Sequence, residues 1–407
     1  MPIEFQDDSA GVSDAMGFAT SAVACDIREK NTERLDLALV CSAAPCTGAG
    51  VFTRNDVKAA PVRVCREILD SGKPLHGFVA NSGNANACTG DQGLVDAQAM
   101  SERAAQAAKL PHNSILVCST GRIGRAMPMP RILAGIDQAA AALVATPAES
   151  RRAAEAILTS DTRPKTCTAR FTWQGKKVTV AAMAKGAGMI QPNMATMLAF
   201  LCTDAAAPTA LLREVITTAT QRTFNAITVD GDMSTNDTVL VLANGASGVN
   251  LATAPAEVRA LFAEAVEKVC AQLAEKIVGD GEKITKVVEI LVRGAHNDES
   301  AERIARAIGN SLLVKSSWFG EDPNWGRILD AAGAARTGLV EEKLDLFYDD
   351  TSVLLHGMAQ NQHLARWKEI VRQPRFRIAL ELRQGTGAYR LLASDLTDGY
   401  VNYNKSE

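Results

Sequence analysis

Histidine is scarce in this sequence: His76, His112, His296, His356 and His363 are the five in 407 residues. None lies in a Gly-rich or otherwise site-like stretch, and all read as surface or loop residues, so a Ser-His-Asp arrangement has no evident base. The nine cysteines are odd in number, irregularly placed and free of any C-x-x-C, which argues against both a disulfide framework and a zinc site. Cys25, Cys65, Cys118, Cys202 and Cys270 sit among apolar residues and read as plain buried thiols, as in a reducing cytosol. No G-x-G-x-x-G follows a strand and no Walker-type loop occurs, so nucleotide-cofactor chemistry lacks support. No apolar run approaches the roughly 18 residues that span a bilayer; even "ILAGIDQAAAALVA" is broken by Asp137. Lys and Arg are scattered and the net charge is −3, which speaks against nucleic acid as a partner. The N-terminal "MPIEFQDDSAG" is acidic and has neither a basic nor an apolar leader segment, so a cytoplasmic location is expected.

What is present is an ordinary globular mixture, 47% hydrophobic and 22% charged, on a chain long enough for two domains or one large layered body. Strand-like runs "LDLALVCSA", "HGFVANSG" and "SILVCST" alternate with Ala-rich helical segments near 95–109, 130–145 and 149–158. The stretch "CTARFTWQGKKVTVAAMAKG" predicts a hairpin turning at Gln174 and Gly175. Beyond it, "TMLAFLCTD" and "TKVVEILVRGA" read as strands and 209–223, 256–278, 298–310 and 324–336 as helices, followed by strands in "RFRIALELRQG" and "AYRLLASDLT". Strands and helices do not alternate strictly, which predicts an α/β body of helices packed on mixed or antiparallel sheets rather than a doubly wound parallel sheet.

Five stretches carry candidate chemistry. In "KGAGMIQPNMATMLAF", Thr196 stands at the start of a buried-looking strand behind Gly186, Gly188 and Pro192. With no histidine at hand, its base would be an α-amine, whose ordinary pKa of about 7.7–8.0 suits the task. That requires cleavage between Ala195 and Thr196 by attack of the Thr196 hydroxyl on the preceding carbonyl. The plainer alternative is a Thr at a strand start bonded to backbone. "VCSTGRIG" ends a β-rich run at Thr120 and Gly121, where a hydroxyl and a backbone N–H can converge on an oxyanion, or where the chain merely turns. "NSGNANACTG" is a polar pocket wall or a turn and cap cluster, with the structural role favoured. Glu282 in "VGDGEKITK" can bind an ammonium or remain a solvated loop carboxylate. In "GEDPNWGR", Asn324, Trp325 and Arg327 stand at a helix entry, where capping is the expected role.

Taken in order, these stretches resemble one family, the ornithine acetyltransferases or glutamate N-acetyltransferases of cyclic arginine biosynthesis. The resemblance runs through "GVFTRNDVKAAPV", "NSGNANACTGDQG", "STGRIG", "LTSDTRPK", "KGAGMIQPNMATML", "TVDGDMSTNDT", "GDGE" and "FGEDPNWGRIL". It implies a fold similar to that of self-processing aminopeptidases and a precursor cut before Thr196. The products would be an α chain, 1–195, and a β chain, 196–407, assembled as an α2β2 heterotetramer. By the same resemblance Thr196 is the nucleophile, Thr120 and Gly121 form the oxyanion hole, and Thr159, Lys185, Thr196, Glu282, Asn404 and Ser406 contact substrate.

The implied reaction moves the acetyl group of N2-acetylornithine to glutamate through an acetyl-threonine, with no metal and no organic cofactor. Acetyl-CoA is an alternative donor in some members, which adds N-acetylglutamate synthase activity. Chemically, Lys185 suits the substrate carboxylate and Glu282 its side-chain ammonium. Two features depart from the family pattern: Lys283 and Ile284 follow "GDGE" where small residues are usual, and the tail "YVNYNKSE" is short. The rival enzyme is a self-processed aminopeptidase or amidohydrolase that uses water as acceptor, and the rival of another class is an unprocessed, silent assembly protein.

Overall fold

The computed structural model describes residues 2–191 and 197–405. The chain forms two compact units. The first comprises 1–186, 192–225 and 233–277, and the second comprises 187–191, 226–232 and 278–407. In chain order the first unit holds β1 (Glu4–Asp7), β2 (Phe18–Val23), β3 (Leu37–Phe52), α1 (Ala60–Asp70), β4 (Leu75–Asn81), α2 (Gly90–Ala107), β5 (Ile115–Ser119), α3 (Met129–Ala141), α4 (Pro147–Ala156), β6 (Lys165–Trp173), β7 (Lys176–Lys185), β8 (Leu198–Thr203) and α5 (Thr209–Arg222). After β9 (Ile227–Thr228), a strand of the second unit, come β10 (Thr238–Ala243) and α6 (Ala256–Val278).

Among the described residues, nine strands of the first unit make one mixed sheet in the order β1-β6-β7-β8-β10-β3-β4-β5, with β2 paired to β3. The predicted hairpin is β6 and β7, antiparallel from Lys165 against Ala184 to Trp173 against Lys176. Its two turn residues, Gln174 and Gly175, have φ of 50° and 74°, the left-handed pair that matches the twist of adjoining strands. The central strands β8 and β10 are buried throughout and read as unbroken apolar runs because both faces are covered. Phe78 of β4 stacks on Phe200 of β8 at 4.1 Å between ring centroids, inside a core that also takes Ile132 and Ile136 from α3. His76 lies buried on β4, its Nδ1 3.4 Å from the Ser42 carbonyl, and so is a core histidine rather than a surface one.

The second unit continues with β11 (Val287–Ala295), α7 (Asp298–Asn310), α8 (Leu312–Phe319), α9 (Trp325–Ala334), β12 (Asp345–Tyr348), β13 (Thr351–Leu355), β14 (Met358–Ala359), α10 (Leu364–Val371), β15 (Arg375–Glu381), β16 (Gly387–Ser394) and α11 (Asp398–Asn404). Its sheet runs β14-β13-β12-β15-β11-β16-β9. Helix α7 covers β11 and β16 with Ala301, Ile304, Ala305 and Ile308, the i, i+3, i+4, i+7 stripe that makes its sequence legible. Asn297 caps it by accepting from the Ser300 N–H at 2.9 Å. At the entry to α9, by contrast, Asn324 makes no side-chain cap; its Nδ2 donates to Asp322 Oδ2 at 3.1 Å, and Arg327 donates to the Leu313 carbonyl. Among the described residues no helix is long and apolar enough to cross a membrane.

Candidate active site

In the first unit, β5 ends at Ser119 and the chain turns through Thr120 and Gly121. Gly121 has φ of 135°, and a Cβ there would lie 2.3 Å from the carbonyl carbon of Gly83, so only glycine fits. The amides of "NSGNAN" build this turn. Thr120 N–H donates to the Asn81 carbonyl at 3.0 Å, and Asn81 Nδ2 donates to the Asn84 carbonyl at 2.9 Å. From the other side, Asn236 Nδ2 donates to the carbonyls of Ala85 and Ser119 at 2.6 and 2.9 Å. The polar cluster is thus a scaffold for the Thr120-Gly121 corner, the structural role the sequence favoured.

Lys185 is the last residue of β7, and its side chain is 1% exposed. Its Nζ donates to Thr159 Oγ1 at 2.7 Å and reaches Thr120 Oγ1 at 3.5 Å. Three residues that the sequence singled out from separate segments therefore meet at one point, where Lys185 and Thr120 are buried and Thr159 is half-buried. Sequence reasoning passed over the residue that ties them, Asp161 in "LTSDTRPK". Asp161 Oδ1 accepts from the Gly186 N–H and from Lys165 Nζ, each at 2.6 Å. Its Oδ2 accepts from the Thr159 N–H at 3.1 Å and lies 3.9 Å from Lys185 Nζ. Burial alone would push this carboxyl up; the charges of Lys185 and Lys165 with the hydrogen bonds outweigh it and hold Asp161 well below the usual carboxylate range.

Asp237 was also missed. It closes the polar run "TVDGDMSTNDT" just before β10, and its Oδ1 accepts from the Met197 N–H at 2.8 Å. Among the described residues its Oδ2 is buried without a hydrogen-bond partner, and burial pushes the carboxyl well above its ordinary value, against the Met197 N–H bond and the pull of the Lys185 charge. The signal was present as an Asp set directly before an unbroken apolar strand, where a solvated carboxylate is out of place. Thr196, Ala195 and Ser406 lie outside the described residues.

In the second unit, Glu282 is half-buried after its Gly-rich turn, and its N–H donates to the Ala187 carbonyl at 3.0 Å. A Cβ on Gly188 would meet Glu282 Oε1 at 2.2 Å, so this glycine leaves room for the carboxylate where it stands, and a larger residue would push it aside. Asn404 Nδ2 donates to Glu282 Oε2 at 3.0 Å, which joins two of the sequence-derived substrate contacts. Lys283 is exposed and its Nζ lies 5.3 Å from the centre of the Tyr403 ring. Asp230, also unremarked from sequence, accepts from the Met189 and Ile190 N–H groups at 2.6 and 2.7 Å and from the Tyr400 hydroxyl at 3.3 Å. Burial pushes its carboxyl up, with those backbone bonds opposing.

Among the described residues no group of three or more His, Cys, Asp or Glu side chains is placed to hold a metal ion. Burial pushes the thiols of Cys41 and Cys25 up to about 12 and that of Cys46 to about 11, although Cys25 is only half-buried.

The model of the ArgJ family matches residues 19–406. The arginine biosynthesis bifunctional protein ArgJ of Geobacter sulfurreducens is 45% identical over 389 residues, covering 95% of this chain and 98% of that one. Its counterpart in Symbiobacterium thermophilum is 45% identical over 399 residues, 98% of each chain. Among solved structures, the ornithine acetyltransferase of Mycobacterium tuberculosis complexed with ornithine is 36% identical, with a TM-score of 0.43 over 47% of this chain and 98% of that one. Matched from end to end by relatives at this level of identity, the chain belongs to the ArgJ family, and it is an acyltransferase of arginine biosynthesis.

Proposed function

We propose that this chain, a glutamate N-acetyltransferase, works as a self-processed enzyme whose nucleophile is the new N-terminal Thr196. The Thr196 hydroxyl attacks the Ala195 carbonyl, the peptide C–N bond breaks as the ester forms and frees the α-amine, and water then hydrolyses that ester to the Ala195 carboxylate and the free Thr196 hydroxyl. The result is an α chain, 1–195, and a β chain, 196–407, and two pairs of them assemble as α2β2 in the cytoplasm.

In the transfer, the Thr196 α-amine takes the proton as the hydroxyl attacks the acetyl carbonyl of N2-acetylornithine. Thr120 and Gly121 hold the oxyanion. Collapse expels ornithine, which takes the proton and leaves the acetyl group as an ester on Thr196. The α-amine of glutamate then attacks the ester, yielding N-acetylglutamate and restoring the hydroxyl. Lys185 with Thr159 receives the substrate carboxylate, and Glu282, set by Asn404, receives its side-chain ammonium; Ser406 belongs with them. No metal or organic cofactor enters these steps, and acetyl-CoA serves as a second acetyl donor.

The observation that carries this reading is the hydrogen-bonded group of Lys185, Thr159 and Thr120, gathered around a buried ammonium at the end of the strand that leads into the processing segment. The decisive measurement is intact mass and N-terminal sequencing of the purified protein after a denaturing gel. Two fragments near half of 43.2 kDa are expected, one beginning Thr-Met-Leu-Ala, and the Thr196→Ala variant is expected to remain whole. A single unbroken chain that still transfers acetyl from acetylornithine to glutamate would rule out the α-amine mechanism.

A further inference from the structure

We propose that Asp161 is the positioning residue of the carboxylate-binding end of this site, the buried anion that fixes the Lys185 ammonium and its Thr159 partner in the pose that receives substrate. The proposal deepens the reading of Lys185 given above and rests on it.

Asp161 divides its two oxygens between two tasks. Oδ1 ties the segment before β6 to the end of β7 through Lys165 Nζ and the Gly186 N–H, both at 2.6 Å. Oδ2 faces the functional pair: it accepts from the Thr159 N–H at 3.1 Å and sits 3.9 Å from Lys185 Nζ, whose own short bond, 2.7 Å, goes to Thr159 Oγ1. Thr159 is therefore held by its backbone from Asp161 and by its hydroxyl from Lys185, and Lys185 is drawn between the two. The side chains of Asp161, Lys165 and Lys185 are 0%, 0% and 1% exposed.

An ammonium at such depth keeps its proton only beside a carboxylate that keeps its charge. Among the described residues two carboxyls face Lys185, Asp161 from the loop before β6 and Asp237 from just before β10, and Lys165 is a second cation beside Asp161. Asp237 is a poor counter-ion, because burial drives it toward its neutral form and one of its oxygens is taken by the Met197 N–H. Thr120 and Thr159, the two hydroxyls within reach of its Nζ, are uncharged. Asp161 is thus the group that both places Lys185 and maintains its charge.

The test is steady-state transfer from acetylornithine to glutamate by the processed enzyme between pH 6 and 9, comparing parent, Asp161→Asn, Asp161→Glu and Lys165→Met. Asp161→Asn keeps the size and the acceptor but loses the charge. Its KM for acetylornithine is expected to rise by at least about tenfold at pH 7, with a smaller fall in kcat, and to climb further toward pH 9 as Lys185 loses its proton. Asp161→Glu keeps the charge but shifts it, so its KM should rise without the added pH dependence. Lys165→Met leaves Asp161 to Lys185 and should not steepen the profile.

An Asp161→Asn enzyme with the parent's KM across this range would overturn the proposal. So would a KM rise that is equal at every pH and matched by Asp161→Glu, or a failure of both variants to fold, since each marks a merely structural carboxylate. A parent that does not use acetylornithine would overturn the underlying reading of Lys185, and the proposal with it.

Discussion

At the scale of single residues, Asp237 is where burial and charge are set most sharply against each other. Its raised pKa means that the folded chain holds a proton there which the unfolded chain has released above the ordinary value of about 3.9. The folded state then binds more protons than the unfolded one, so this residue's contribution to stability declines as pH rises through that window. Asn in its place carries no titrating proton, although its amide nitrogen would be as orphaned as Oδ2 is now. The expected outcome for Asp237→Asn is a difference in Tm, variant minus parent, that grows steadily between pH 5 and pH 8. A flat difference across that range would mean that the carboxyl titrates near its ordinary value. The same chemistry explains which site residues could be read from the sequence. Thr120, Gly121, Thr159, Lys185 and Glu282 stand in quotable motifs whose residue types suit the reaction. Asp161 and Asp237 stand in those motifs too, but an Asp beside Ser, Thr and Gly reads as turn chemistry until its burial is known.

At the scale of elements, the C-terminal helix α11 is the clearest case of structure that tertiary contacts must supply. Its seven residues are fewer than the roughly 12–15 an isolated helix needs in water. It is capped by Thr397, which accepts from the Tyr400 N–H at 3.0 Å and donates to the Lys283 carbonyl at 2.8 Å. Tyr400 then reaches Asp230, and Asn404 reaches Glu282. With Glu282 in the proposed ammonium-binding role, the Asn404 bond fixes one of its oxygens, so Asn404→Ala should lower kcat/KM for acetylornithine about tenfold, as loss of a hydrogen bond to a charged group does, while leaving Tm within a degree or two of the parent's. An unchanged kcat/KM would remove Asn404 from the site. The helix was not legible because no apolar stripe marks "DGYVNYN". Long or strongly patterned elements were legible: the β6–β7 hairpin, α5, α6, α7, β11, β15 and β16. The misses have more than one cause: α1 carries a clear stripe of Pro61, Val64, Cys65 and Ile68 that went unread, whereas two others had weak local signal. Strand β2, "FATSAV", has Phe18, Thr20 and Val23 but no apolar/polar alternation, since Ser21 and Thr20 are buried with their neighbours, and α8, "LLVKSSWF", is a short helix without amphipathic order.

At the scale of the whole chain, the proposed cleavage after Ala195 does not follow the division into compact units. Residues on both sides of it belong to the first unit, and its sheet interleaves them. Strand β8 of the 196–407 portion pairs with β7 of the 1–195 portion, from Lys185 against Leu198 to Val180 against Thr203. On its other side β8 pairs with β10, and β10 in turn pairs with β3 of the 1–195 portion, from Thr238 against Phe52 to Ala243 against Thr47. Two strands of one fragment are thus clamped between strands of the other, with hydrogen-bonded edges on both flanks. Phe200 of β8 stacks on Phe78 across the same boundary. Separating the fragments would expose buried backbone on both flanks and open the core that β8 and β10 share with their neighbours. Cleavage should therefore leave the fragments associated: on native gel filtration at micromolar concentration they are expected to co-elute in equal amounts, and to part only in denaturant at the concentration that unfolds the first unit. Fragments that separate in native buffer would show that the central strands do not hold the two chains together.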